Sequence, residues 1–361
     1  MLKINSKNMA ILAVVVCWLS PAAAAQEEGR IVVANRTSNT LSIIDTRTDT
    51  LIRTITVASP GARPPEPMYL GYSAKYRRIY VCDRANRQVV AVDASTYKLV
   101  NTAPIGAGAF HMWMDKASRQ LWVVNDIDMT LSVIHPGTMK VIATVPIPQD
   151  LVEKGGKPHD ITIDPEGNAA FVTVVGVSGA NDFVVRFNTR NFQETARRAV
   201  GKDPHVGLPP RSKYLFVPSQ DADTVYVLNT KDLEVVKEIM IPGAHGAGWT
   251  PDGKFFFTSN LPGKTLPELG NDALWVVDTK SLEIVGHTPM PDDPELEVPH
   301  NIAVSGGKEN KLYLTHSGHD DGDAIGDVTI YAISKTDPVP RYLKKVTVGL
   351  NPFGIIYYRL P

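Results

Sequence analysis

Nine histidines occur among the 361 residues, and five of them open short segments of one kind. These are Phe110-His111-Met112-Trp113, Pro158-His159-Asp160-Ile161, Pro204-His205-Val206-Gly207, Ala244-His245-Gly246-Ala247 and Pro299-His300-Asn301-Ile302. Pro67-Met68-Tyr69-Leu70 and Pro352-Phe353-Gly354-Ile355 repeat the pattern with Met and Phe in the His place. Imidazole is the commonest protein ligand of transition metals, and a thioether such as Met68 adds a soft donor that favours copper. His111, His159, His205, His245 and His300, brought to one axis, would hold a transition metal ion, copper or zinc. Met68 is an additional ligand candidate, as are His316 and His319 in the stretch Thr315-His316-Ser317-Gly318-His319-Asp320-Asp321. The competing reading is a water-filled channel, which needs polar residues of any kind. Five His among seven equivalent positions exceed that need.

Other catalytic signatures are missing from the sequence. No Walker loop, paired Cys-x-x-Cys, haem-attachment motif or His-Glu-x-x-His occurs. Gly176-Val177-Ser178-Gly179 lacks the spacing of a nucleophile elbow. Asp320, Asp321 and Asp323 are not spaced as an EF-hand loop and read as a solvated acidic loop. Trp113, two residues after His111, faces the same side of a strand, where it would wall a pocket or pack in the core. His135 and His287 fall at outer strands or turns and read as structural.

The elements that must position these residues follow from a repeat. Positions 68, 111, 159, 205, 245, 300 and 353 recur every 40 to 55 residues. β-rich runs recur in step with them, among them Ile31-Val32-Val33-Ala34-Asn35, Ile79-Tyr80-Val81-Cys82-Asp83 and Leu121-Trp122-Val123-Val124-Asn125. Further runs follow, such as Leu41-Ser42-Ile43-Ile44-Asp45 and Leu274-Trp275-Val276-Val277-Asp278, whose terminal Asp suits an Asx turn. Four short strands per repeat predict an all-β, seven-bladed β-propeller with four antiparallel strands per blade. The inner strand of each blade lines the central channel, so equivalent side chains on seven blades meet at one axis. The first β-rich run reads as a second strand, and Phe353 to Tyr358 reads as a first strand without a partner. The C-terminal strand is therefore expected to complete the N-terminal blade and leave no open edge.

Composition bounds the rest. Charged residues make up 21% and hydrophobic residues 43%, as in a folded globular chain. The formal charge of −1 lacks the positive excess of a nucleic-acid binder. Lys3 and Lys7, the apolar run from Met9 to Leu19, and Ala23 and Ala25 before Gln26 read as a signal peptide over residues 1–25. Residues 26–361 are then one exported propeller domain, periplasmic or secreted, with no membrane span, and expected as a monomer. Only Cys17 and Cys82 exist, so the processed chain has no internal disulfide, and Cys82 reads as a buried small hydrophobe.

The second-strand pattern, with the turn Pro251-Asp252-Gly253-Lys254, resembles the YVTN-repeat family of bacterial seven-bladed propellers over the whole processed chain. The clustered His are similar to those of propellers of the nitrous oxide reductase and cytochrome d1 kind and of periplasmic zinc chaperones. The chain departs from the reductase in having neither a C-terminal cupredoxin segment nor a cysteine pair for an electron-entry copper. The resemblance implies a periplasmic metalloprotein or metal carrier, with a metal ion or small molecule at the funnel face and a periplasmic protein as partner. Two alternatives stand beside it: a non-catalytic binding scaffold, and a metal-assisted lyase or lactonase acting on a small molecule. Residue types alone leave open whether the chain is an enzyme.

Overall fold

Within a repeat, burial is greatest in the second strand and least in the last. In Leu121–Asn125 every residue is buried, whereas Thr50–Thr56 is exposed almost throughout. A sheet that radiates from an axis produces this pattern: its inner strand borders the channel, its middle strands are covered by neighbouring sheets, and its outermost strand meets solvent. The computed structural model describes residues 29–261, 272–306, 310–318, 322–334 and 337–360. The segment read as a signal peptide lies outside the described residues. The described residues form seven antiparallel sheets in the order the repeat predicts. We number the blades from the N-terminus. Blade 1 combines Gly29–Asn35, Thr40–Asp45 and Thr50–Thr56 with the C-terminal strand Pro352–Arg359, and blades 2 to 7 follow in chain order.

Closure is as the sequence suggested. Pro352–Arg359 pairs antiparallel with Gly29–Asn35, Tyr358 matching Arg30 and Ile356 matching Val32. A buried polar contact clamps the adjoining blade interface: Lys311 on blade 7 donates to Asp49 (2.6 Å) and to the Thr46 carbonyl (3.0 Å), and the Tyr313 hydroxyl donates to Asp49 (2.7 Å). Turns follow the expected chemistry, since Asp45, Asp93 and Asp278 each accept backbone N–H groups two and three residues on. Asn35 and Asn125, at the ends of second strands, instead donate across to Thr40 and Ser42 and to Thr130 and Ser132. All seven outer strands carry a β-bulge at the same place. A bulge spoils an edge for pairing with another chain, which suits outer strands that expose apolar pairs such as Leu51 and Ile52 or Leu99 and Val100.

Two local departures concern the channel. Blade 5 is a three-stranded sheet whose inner segment makes only two bridges, Pro204 with Ser219 and Gly207 with Phe216. Pro204, Pro209 and Pro210 have no N–H to give a ladder. The second departure is one of register. Ala109 pairs with Asn125 as Pro67 pairs with Asp83, Pro158 with Val174, Ala244 with Asn260 and Pro299 with His316. Phe110, not His111, is therefore the blade 3 equivalent of Met68, His159, His245 and His300. The expectation of five His at one position becomes four, with His111 one residue further along its strand. Phe110-His111 lacks the preceding Pro found in blades 1, 2, 4, 5 and 7, so residue type alone misplaced it.

Candidate metal centre

The inner strands of blades 1, 2, 3, 4, 6 and 7 each carry a β-bulge where they reach the channel. A bulge puts two residues opposite one, and it turns side chains that a flat strand would hide toward the axis. The first bulge residues, with His205 of blade 5, form one layer: Met68, Phe110, His159, His205, His245, His300 and Phe353. The second residues form another: Tyr69, His111, Asp160, Val206, Gly246, Asn301 and Gly354. In blades 4, 6 and 7 the second residue's N–H donates to a second-strand hydroxyl, from Asp160 to Thr173 (2.8 Å), Gly246 to Ser259 (2.7 Å) and Asn301 to Thr315 (2.9 Å).

The first layer has two arcs. On one, ring centroids step from His159 to His205 (4.7 Å), His205 to His245 (3.9 Å) and His245 to His300 (4.8 Å). Phe110 and Phe353 flank that arc, 5.4 Å from His159 and 4.9 Å from His300. Met68 completes the ring between them and packs in an apolar cluster with Tyr69, Met112 and Phe353. His111 enters from the second layer, stacked 3.6 Å from Tyr69 and 5.3 and 5.8 Å from His159 and His205. His111, His159 and His205 offer ligand atoms within 4.8 Å of one another, and so do Asp203, His205 and His245.

Hydrogen bonds fix which nitrogen each ring can offer. His111 Nδ1 lies 2.7 Å from Asp160 and His205 Nδ1 lies 3.5 Å from its other oxygen. Asp160 also accepts the N–H groups of Ile161 (2.7 Å) and Val206 (3.0 Å). Burial acts to raise the Asp160 pKa, but His111 and His205 outweigh it and hold the carboxyl well below the usual range. An ionised Asp160 makes His111 Nδ1 the donor, so the lone pair of the neutral ring sits on Nε2. His245 Nδ1 meets Gln220 Oε1 at 2.9 Å and is a donor there, because an amide oxygen can only accept. His300 differs: its Nδ1 lies 2.9 Å from Asn301 Nδ2, an amide nitrogen that can donate but not accept, so the proton of the neutral His300 ring sits on Nε2; Asn301 Nδ2 also faces the Phe353 carbonyl (3.1 Å) and the Tyr69 hydroxyl (3.2 Å).

The Nε2 atoms of His111 and His205 are buried and have no hydrogen-bond partner. Burial lowers the pKa of His111 against the pull of Asp160; it lowers that of His159 further, with His205 and His111 adding to the effect. Neutral imidazoles are the ligand form. A cavity of about 100 Å³ runs from His111, Asp160, His205 and Asn301 down the inner strands to Trp113 and Trp249. Trp113 thus lines a pocket, one of the two roles its position allowed.

The additional candidates fall elsewhere. His316 is buried in blade 7 with Nδ1 at the Glu297 carbonyl and Nε2 at the Thr329 hydroxyl, both 2.7 Å, so neither nitrogen is open to an ion. Met68 is separated from the His arc by Phe110 on one side and Phe353 on the other. His319 lies outside the described residues. His135 caps a turn, its Nδ1 receiving Thr138 N–H (3.2 Å), and His287 stacks on Trp275. Sequence reasoning passed over Asp160, Asp203, Tyr69, Gln220 and Asn301. A signal was present in Asp203-Pro204-His205 and His159-Asp160, where an acid sits within two residues of a His.

No protein-family model matches the chain, and no curated protein matches it. Solved structures do share its fold. A hydrazine synthase chain of Kuenenia stuttgartiensis superposes with a TM-score of 0.65 at 17% identity, over 84% of this chain and 95% of that one. A candidate 6-phosphogluconolactonase of Bacteroides uniformis gives 0.64 at 18% identity over 92% and 100% of the two chains. Its counterpart from Bacteroides fragilis gives 0.66 at 16% over 94% and 100%. At these identities the likeness is one of propeller architecture.

Proposed function

We propose that this protein is an exported propeller that holds a transition metal ion at the bulge layer of its channel, as a metalloprotein or a metal carrier. One observation supports this above the others: two buried imidazoles present unpartnered Nε2 atoms while a buried carboxylate holds their opposite nitrogens. Carboxylate to imidazole to metal is the arrangement that fixes ring orientation and raises ligand basicity. A buried Nε2 with no partner is costly unless something meets it. His111, His159 and His205 form the primary ligand set, with His245 and Asp203 completing it on the other side of His205. Metal–nitrogen bonds of 2.0–2.1 Å place tetrahedral ligand atoms about 3.3 Å apart, so the rings draw together on binding. With Met68 away from the arc, nitrogen and carboxylate donors suit a borderline divalent ion, zinc(II) or copper(II).

Elemental analysis of the full chain, purified without chelators and offered each metal, tests this. About one equivalent of zinc or copper is expected, falling below a tenth in a His111→Ala, His205→Ala double variant that keeps its fold. A wild type that binds neither ion at micromolar concentration removes the metal reading and leaves a scaffold. Export carries its own test: mass spectrometry of secreted material should find Gln26 as the first residue. The two lactonase-like structures leave a hydrolytic alternative that rests on fold alone.

A further inference from the structure

Resting on that metal reading, we infer that the cavity below the bulge layer is a ligand compartment for a molecule of about five non-hydrogen atoms or fewer, planar or apolar, with one lone-pair donor. Its two ends differ in chemistry. At the upper end are His111 and His205, each at least nine-tenths buried and each with an unpartnered Nε2, together with Asp160 and Asn301. Toward the lower end the lining turns apolar through Met112, Ala247 and Ile302, and it finishes on Trp113 and Trp249, whose rings are 5.8 Å apart.

A molecule entering this space meets imidazole, carboxylate and amide groups at one end only. Its donor atom therefore belongs at the ion, and the remainder packs on indole and aliphatic carbon. Size is set by comparison: a cavity of roughly 150 Å³ takes benzene, and this one is smaller, about 100 Å³. A five-membered azole or a linear triatomic anion fits, and a substituted ring does not. Ala247 keeps the space open. A Cβ added to Gly207 on the neighbouring blade would already lie 2.8 Å from the Ala247 methyl, so a longer side chain at 247 has the channel as its outlet.

The test uses the full chain loaded with cobalt(II), whose visible ligand-field bands report an incoming donor. Azide, imidazole and 4-phenylimidazole are the probes. Azide and imidazole should perturb the bands, and 4-phenylimidazole should bind at least tenfold more weakly than imidazole. Ala247→Leu should retain its cobalt and lose imidazole binding at least tenfold. Should that variant not fold, Trp249→Ala gives the converse reading, a gain of at least tenfold for 4-phenylimidazole. Equal affinity for the two azoles in the wild type, with cobalt bound, overturns the compartment and leaves the metal site standing. Absence of bound cobalt, zinc and copper alike overturns both.

Discussion

The two arcs of the channel ring share one backbone device and fill it with opposite chemistry. Blades 4, 6 and 7 present His159, His245 and His300 from a bulge whose second N–H is taken by Thr173, Ser259 or Thr315. Blades 1, 2 and 3 present Phe353, Met68 and Phe110 from the same bulge, and the facing residue is Ala34, Cys82 or Val124, which has no oxygen to offer. Arg36 lies over the Phe353 ring and Arg84 over the Phe110 ring, at 5.3 and 5.6 Å. The bulge thus belongs to the architecture, and the hydroxyl belongs to the His arc. Where a side chain must be held at one angle, the backbone beneath it is tied down; where it need only fill space, packing suffices.

The strongest way to break the comparison is to remove the strand that carries one end of the apolar arc. Deleting residues 352–361 exposes the edge of Gly29–Asn35 and strips Phe353, Ile355 and Tyr358 from the core. Each buried side chain of this size is worth about 2 kcal/mol, and an open inner edge invites pairing with other chains. The truncated protein should aggregate or unfold, seen as loss of a cooperative melt and of the monomer peak in gel filtration. A monomer with an unaltered melting point would count against the closure account.

Single substitutions on the two arcs should have crossed effects. Phe353→Ala should lower stability by about 3 kcal/mol, within the range for a buried aromatic, while metal content stays near that of the wild type. His205→Ala should remove most of the metal and change the stability of the metal-free protein by about 1 kcal/mol or less. Chemical denaturation with parallel elemental analysis reads both. If both variants lose metal alike, or both lose stability alike, the arcs are not functionally distinct.

A buried His outside the ring sharpens the contrast. Burial, only partly offset by the Glu297 carbonyl, pushes the His316 pKa down to about 4. The unfolded chain takes up this proton near pH 6.5 and the folded one does not until about pH 4. Its contribution is fully present above pH 6.5 and is lost as pH falls from there through 4, on the order of 3 kcal/mol in all. The stability gap between wild type and His316→Gln should therefore shrink by about 2 kcal/mol from pH 7.5 to pH 4.5. A gap that is constant with pH would show that His316 does not stay neutral in the folded state.

The architecture was legible because a propeller repeats its signals: the apolar second strands and the turn-forming Asp appear again and again, and one misread copy does not alter the sum. The site was legible only in part, because it depends on register within single strands. Reading Phe110-His111 by residue type moved His111 into the wrong layer, and only the pairing of Ala109 with Asn125 corrects it. Asp203 reaches the site through a turn in the left-handed region, φ 53°, which no spacing rule reports. His316 carried the same residue-type signal as the ring His and spends both nitrogens on its own blade.

The smallest and most specific effect belongs to Asp160. It makes no direct claim on an ion in either ligand group, yet its two oxygens lie 2.7 and 3.5 Å from the Nδ1 atoms of His111 and His205. Asp160→Asn keeps the size and removes the charge. One end of the amide can still accept, but the other presents N–H to a group that donates, either the Val206 N–H or a ring Nδ1–H. One imidazole then loses its fixed tautomer. Changes of this kind weaken metal binding by about ten- to a hundredfold, roughly 1.4 to 2.7 kcal/mol. A merely structural Asp160 would change the melting point and leave the metal affinity of the folded protein alone. Competition against a chelator of known affinity, across pH 6 to 8, separates the two: a positioning role predicts weaker binding with a proton dependence unlike that of the wild type. Unchanged affinity at every pH would reduce Asp160 to a packing residue and take the carboxylate-oriented imidazoles out of the argument for a metal.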